Sequence, residues 1–131
     1  MIGVDTNVLV RFLVADDVEQ TKRAAAVIQR AAKSGEPLFV SDVVLCEVVW
    51  VLETSYKIPS EEVARTLTSL LDARHLQYRN RAALREALDG YVQTRGDFAD
   101  YVILGHAIEA GCTSCLTFDG ALLASPGFAS P

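Results

Sequence analysis

The chain has 131 residues, of which half are apolar and 22% are charged, and its formal net charge is −5. This composition excludes a disordered chain, and the length fits one globular domain, residues 1–131. No apolar run approaches the roughly 18 residues of a membrane span, and the negative charge argues against non-specific binding to a polyanion. Three cysteines do not make a disulfide framework, so we expect packed thiols in a soluble protein of the reducing cytoplasm.

The first third of the chain predicts two short strands separated by two helices. The segment IGV, residues 2–4, reads as a short buried strand that ends at Asp5. A helix follows at once in NVLVRFLVAD, and an alanine-rich helix over about residues 18–33 ends at Gly35. A second short strand is expected at residues 38–40.

The middle of the chain predicts two helices, and a serine is the expected N-cap of each. Ser41 is suited to cap a helix that continues to about Tyr56, and Pro59 stops it. Ser60, which two acids follow, is suited to cap the helix SEEVARTLTSLLDA. Residues 76–78 are a candidate for a third strand.

The last third predicts helices over residues 81–94 and about 98–110, a strand at 114–118 and an irregular tail, ASPGFASP. Short apolar strands separated by helices indicate an α/β fold, in which a short parallel sheet carries helices on both faces. In such sheets function gathers at the carboxyl ends of the strands. Two of the predicted strands end in an aspartate, Asp5 and Asp119.

One carboxylate, Glu47, interrupts the most apolar run of the chain, VVLCEVVWVL. On a helix, Asp42 and Glu53 lie roughly 20° apart and predict the water-facing stripe. Glu47 lies about 140° from Asp42, so we expect it to point away from water, and Trp50 to lie in the core. A buried carboxylate without a partner costs several kcal/mol. Something in the fold should therefore compensate Glu47.

A second acidic segment is DFADYVIL. Asp97 is a good N-cap residue, and Asp100 then takes the N3 position of a capping box. For Asp97, capping and a functional role are equally open, whereas Asp100 favours function because an apolar run follows it. Asp119 is either functional or the start of a turn with Gly120.

Two predicted strand ends and two predicted helices can bring four carboxylates into one pocket. Crowded carboxylates repel one another unless cations join them, and oxygen ligands without His or Cys favour Mg²⁺ or Mn²⁺ over zinc. Such a site suits phosphoryl transfer by a metal-bound hydroxide. The four candidates are Asp5, Glu47, Asp100 and Asp119.

Three segments, VDTNVLV, VSDVVLCEVVWVL and DFADYVILGHAIEAGCTSCLTFD, resemble in this order the PIN-domain nucleases, and within them the VapC-type toxins of toxin–antitoxin pairs. The resemblance covers nearly the whole chain. It implies a Mg²⁺-dependent endoribonuclease for single-stranded or loop RNA, a cognate antitoxin as partner and a homodimer. The tail is shorter than the family's usual closing strand. By this resemblance the metal ligands or water-activating groups are Asp5, Glu47, Asp100 and Asp119, with Asp97 as an additional acid and Thr6 and Asn7 in support.

Three other interpretations stay open at this point. A phosphoacceptor receiver domain needs a lysine after its last core strand, and the only lysines here are Lys22, Lys33 and Lys57, all in the first half. A PIN-like module that binds RNA or protein without cutting would not require the complete set of carboxylates. A housekeeping RNA-processing nuclease would share every one of these residues.

Overall fold

The computed structural model describes residues 1–94 and 96–131 and shows an α/β fold whose described strands pair in parallel. The fold class predicted from the sequence is confirmed. No helix among these residues is long and apolar enough to cross a membrane. The elements are β1 (Ile2–Gly3), α1 (Thr6–Leu13), α2 (Val18–Ser34), β2 (Leu38–Phe39), α3 (Asp42–Thr54), α4 (Ser60–Asp72), β3 (Leu76–Gln77), α5 (Arg81–Gln93), α6 (Phe98–Glu109), β4 (Cys115–Leu116), a 3-10 turn (Leu122–Ala124) and β5 (Phe128–Ala129).

The chain forms two compact units, residues Met1–Arg81 and Ala82–Pro131. In the first, β1, β2 and β3 make a parallel sheet in that order. Helix α1 packs on both α2 and α3, and α3 packs on α4. The side chains between them are almost wholly removed from water, which supplies most of the stability of such a unit. They include Leu9, Val40, Leu45, Val48, Val63 and Leu71.

The second unit holds α6 and the parallel pair β4–β5. Its core is aromatic: Tyr91 meets Phe98 edge to face at 6.2 Å, and Tyr101 meets Phe128 in the same manner at 6.1 Å. Tyr101 also hydrogen-bonds Ser125 at 3.1 Å. The first contact holds the start of α6 to Tyr91 of α5, and the second holds it to the C-terminal tail.

The tail is more regular than its sequence suggests, so the prediction of an irregular segment is wrong. Phe128 and Ala129 form β5, and the N–H of Cys115 donates to the carbonyl of Gly127 at 2.8 Å. Gly127 has a φ of +95°, a conformation that glycine adopts without strain. The Pro/Gly-rich composition marks the turn before the strand and not the absence of a strand.

Three further predictions need correction. The strand at residues 2–4 is not buried, because β1 is an edge strand whose Ile2 is 66% exposed. Helix α4 has Pro59, not Ser60, as its N-cap, since the Pro59 carbonyl already accepts from Glu62 and Val63 at 3.0 Å. The cysteines are not all packed thiols, because Cys112 is exposed.

Candidate functional site

Asp5 lies between β1 and α1, where it caps the helix. Its Oδ1 atom accepts a hydrogen bond from the N–H of Val8 at 3.3 Å, and its backbone is extended. The residue is exposed. Capping holds the carboxylate at the first turn of α1 and leaves its second oxygen, Oδ2, unbonded among the described residues. The sequence predicted Asp5 as a strand-end carboxylate but missed this capping role.

Thr6 joins the start of α1 to the middle of α3. Its hydroxyl Oγ1 donates to Oε2 of Glu47 at 3.1 Å, across 41 residues of sequence. The structure thus places Glu47 beside the segment that contains Asp5 and Asn7. The bond brings two of the predicted site residues, Thr6 and Glu47, into direct contact.

Helix α3 faces the opposite way from the prediction. Glu47 is exposed, and the apolar side chains that flank it, Val43 and Trp50, are 65% and 64% exposed. The prediction that Glu47 is buried and the placement of Trp50 in the core are therefore wrong. The helix buries instead the stripe formed by Leu45, Val48, Val49 and Leu52.

The prediction that Asp42 and Glu53 form the water-facing stripe of α3 is also wrong, as Asp42 shows. The Asp42 side chain is only 11% exposed, and its Oδ2 atom lies 3.9 Å from Nη2 of Arg79. A cation from the segment after β3 lets this carboxylate turn inward. Burial and the Asp42 charge raise the pKa of Cys46, one helical turn later, to about 11.

In the second unit, Asp97 and Asp100 form the predicted capping box at the start of α6. The N–H of Asp97 donates to Oδ2 of Asp100 at 2.9 Å. This bond fixes the Asp100 carboxylate at the N-terminal end of the helix, where the helix dipole favours negative charge.

Asp119 follows β4 and folds back on its own backbone. Its Oδ1 atom accepts a hydrogen bond from the N–H of Ala121 at 2.9 Å, and its own N–H donates to the Thr117 hydroxyl at 3.0 Å. Asp119 therefore does start the predicted turn. The turn also holds its carboxylate at the carboxyl end of the strand.

The charge of Asp119 acts on the carboxylate of Asp100. Partial burial raises the pKa of Asp100, and the charges of Asp97 and Asp119 raise it further, while the hydrogen bond from the Asp97 backbone opposes them. The charges of Asp97 and Asp119 thus disfavour the ionised form of Asp100, and a bound cation would relieve this repulsion.

The donor set consists of carboxylate and hydroxyl oxygens, which suit a hard divalent cation such as Mg²⁺ or Mn²⁺. The described residues contain no group of three or more His, Cys, Asp or Glu side chains placed to hold a metal ion. The structure brings together Thr6 with Glu47, and Asp97 with Asp100. The convergence of all four carboxylates in one pocket stays a prediction.

Comparison with known proteins adds two findings. The model of the PIN domain family matches residues 2–125. A VapC ribonuclease of Aquifex aeolicus (strain VF5) is 27% identical over 115 residues, which are 88% of this chain and 84% of that protein. The resemblance drawn from the three sequence segments is thereby confirmed.

Proposed function

The chain belongs to the PIN domain family, and from this premise we propose that it is a metal-dependent endoribonuclease that cleaves single-stranded or loop RNA. The observation that carries the proposal is the hydrogen bond from Thr6 to Glu47. It joins the first two of the three segments that carry the family resemblance. The similarity to a protein named VapC ribonuclease supports RNA as the substrate.

We assign Asp5, Glu47, Asp100 and Asp119 as the metal ligands and water-activating groups. A bound Mg²⁺, or Mn²⁺ in its place, would lower the pKa of a water molecule and neutralise charge on the scissile phosphate. Asp5 and Asp100 each accept a hydrogen bond from a backbone N–H, which restricts the orientation of the carboxylate. Asp97 supports Asp100 through this bond, and Asn7 is a further supporting residue.

Hydrolysis forms one P–O bond, to the water oxygen, and breaks another, to the leaving ribose oxygen. A carboxylate must accept the proton that the water loses, and Glu47 is suited to this step because it is exposed and held by Thr6. The Thr6 hydroxyl donates to only one of its oxygens, Oε2, so that Oε1 stays available for the proton.

The similarity to VapC also supports a place in a type II toxin–antitoxin pair. The partner would be a cognate antitoxin whose C-terminal segment covers the acidic residues, with an arginine suited to bind the carboxylates. We further propose a cytoplasmic homodimer. The exposed Val43 and Trp50 offer apolar surface that a second copy would cover, and light scattering at micromolar concentration tests the dimer.

Cleavage of single-stranded RNA by the purified protein tests the nuclease. We expect cutting with Mg²⁺ or Mn²⁺ and none in EDTA. Asp100→Asn and Glu47→Gln should each lower the rate by more than about 100-fold, because each removes a ligand or a base while preserving shape. Glu61→Gln, an exposed acid on α4, is the matched control and should cut normally. Cutting that persists after thorough chelation contradicts the mechanism.

Expression in cells tests the toxin. The wild-type chain alone should arrest growth, and Asp5→Asn should abolish the arrest. If Asp5→Asn is as toxic as the wild type, the growth arrest does not arise from metal-dependent cleavage.

A further inference from the structure

A cleft of roughly 350 Å³ runs between α1 and α2, beside the first turn of α1. Its inner wall is apolar, formed by Val8, Ala24 and Val27. Asn7 lies at the end next to Asp5, whose carboxylate caps the same helical turn. The polar lining is completed by Arg11, Gln20 and Arg23.

A smaller depression of roughly 60 Å³ lies farther along α2; it shares Val27 with the cleft and adds Arg30, Glu36 and Ile2. Arg23 and Arg30 are seven residues apart, so on a helix they lie about 10 Å apart along the axis and within about 20° of one line. Together the two depressions form a groove along one face of α2, which we call the α2 groove.

Three carboxylates near the α2 groove have partners within the chain. Arg11 forms an ion pair with Asp16, with 3.1 Å between Nη1 and Oδ1. The N-terminal ammonium of Met1 forms another with Glu36, with 3.5 Å between N and Oε1. Asp17 is engaged as the N-cap of α2, where it accepts from Gln20 at 2.9 Å.

The side chains of Arg23 and Arg30, in contrast, make no hydrogen bond or ion pair within residues 1–94 and 96–131. The α2 groove therefore carries two guanidinium groups that form no ion pair among these residues, on a chain whose net charge is −5. Uncompensated arginines over an apolar wall match a ligand that presents phosphates and flat or apolar groups in alternation.

We propose that the α2 groove binds the sugar–phosphate backbone of single-stranded RNA next to the scissile bond, with Arg23 and Arg30 each contacting one phosphate. The inference rests on the proposed nuclease function, because it makes this groove the path of the substrate towards Asp5. The apolar wall would hold riboses or bases between the two contacts.

Binding of a fluorescein-labelled single-stranded RNA, followed by anisotropy in EDTA, tests the groove without cleavage. Each phosphate contact on a single strand contributes about 0.7 to the slope of log K against log salt. Arg23→Gln or Arg30→Gln should therefore lower the slope by about 0.7, and the double variant by about 1.4. At 0.1 M salt this corresponds to about fivefold weaker binding for each single variant and about 25-fold for both.

Arg65→Gln is the matched control, because Arg65 is an exposed arginine on α4 of the same unit. Arg65→Gln should change the RNA affinity and the salt slope by less than Arg23→Gln or Arg30→Gln does. All variants alter exposed side chains and should melt close to the wild type. A double variant that binds RNA with wild-type affinity and slope overturns the inference.

The remaining outcomes separate this inference from the proposed function. A wild type that binds RNA with the expected loss in the variants, yet does not cut it with Mg²⁺ or Mn²⁺, refutes the nuclease and keeps the groove. A wild type that cuts RNA while the double variant binds normally refutes the groove alone. If the double variant keeps RNA affinity but loses affinity for an acidic peptide, the groove belongs to a protein partner and the inference fails.

Discussion

Two glycines inside helices of the second unit provide a matched test of its packing. At Gly90 on α5, an added Cβ would lie 2.5 Å from Cδ1 and 2.8 Å from Cγ of Tyr101. At Gly105 on α6 it would meet nothing within 4 Å. Through helix propensity alone, a change to alanine at either position should stabilise the fold by about 1 kcal/mol. Only Gly90→Ala also incurs a steric cost.

The steric cost should be about 1–3 kcal/mol, since the Tyr101 ring has little room to move. Its hydroxyl is hydrogen-bonded to Ser125 and Thr94, and its ring makes a T-shaped contact with Phe128. The net effect of Gly90→Ala is then a loss of about 0–2 kcal/mol, whereas Gly105→Ala gains about 1 kcal/mol. For a chain of this size 1 kcal/mol corresponds to about 4 °C in Tm.

Thermal unfolding of the two variants in EDTA measures this difference directly, because the propensity gain cancels between them. We expect Gly105→Ala to melt about 4–12 °C above Gly90→Ala. Since Tyr101 follows Asp100 in α6, Gly90→Ala should also impair RNA cleavage. Equal stabilisation by the two substitutions would refute the close packing of α5 on Tyr101.

Three other perturbations follow from the site and its surroundings. Asp100→Asn should stabilise the metal-free protein at neutral pH, because the raised pKa of Asp100 makes its ionised form unfavourable in the fold. The gain should vanish as the pH falls below the ordinary Asp value, and melting curves against pH in EDTA would contradict this if the gain persisted there. Glu47→Gln should change Tm in EDTA little, since Glu47 is exposed, and a large loss of stability would indicate a structural role instead. Tyr56→Phe should destabilise the protein above the ordinary Asp pKa, because the Tyr56 hydroxyl is the main cause of the lowered pKa of Asp16. That difference should shrink as the pH falls through the lowered pKa of Asp16, and melting at pH 7 against acidic pH measures it.

The order and type of the helices could be predicted from the sequence because their signals are local. Gly35, with a φ of +74°, ends α2 as expected, and Ser41 caps α3 by accepting from Val44 at 3.2 Å. The capping box of Asp97 and Asp100 was readable for the same reason, since both partners lie within one helical turn. Local backbone conformation determines the first of these features, and local hydrogen bonding determines the other two.

The orientation of α3 could not be predicted, because it depends on residues distant in sequence. The rule that acids face water failed at Asp42, whose partner Arg79 lies after β3. The bond between Thr6 and Glu47 likewise spans 41 residues and leaves no mark in either segment alone. Strand β5 was missed because two residues after a glycine turn carry almost no periodicity. The i, i+7 spacing of Arg23 and Arg30 was visible in the sequence. The apolar lining of the neighbouring cleft was not, because it combines residues of α1 and α2.

The four-carboxylate metal site is tested most directly by calorimetric titration of Mn²⁺ into the wild type and into four single variants. The variants are Asp5→Asn, Glu47→Gln, Asp100→Asn and Asp119→Asn, with Glu61→Gln as control. If all four residues serve one catalytic metal centre, each variant should weaken Mn²⁺ binding by at least about tenfold, and the control should bind as the wild type does. Wild-type Mn²⁺ affinity in the variants of either unit would contradict a metal centre that uses both pairs of carboxylates.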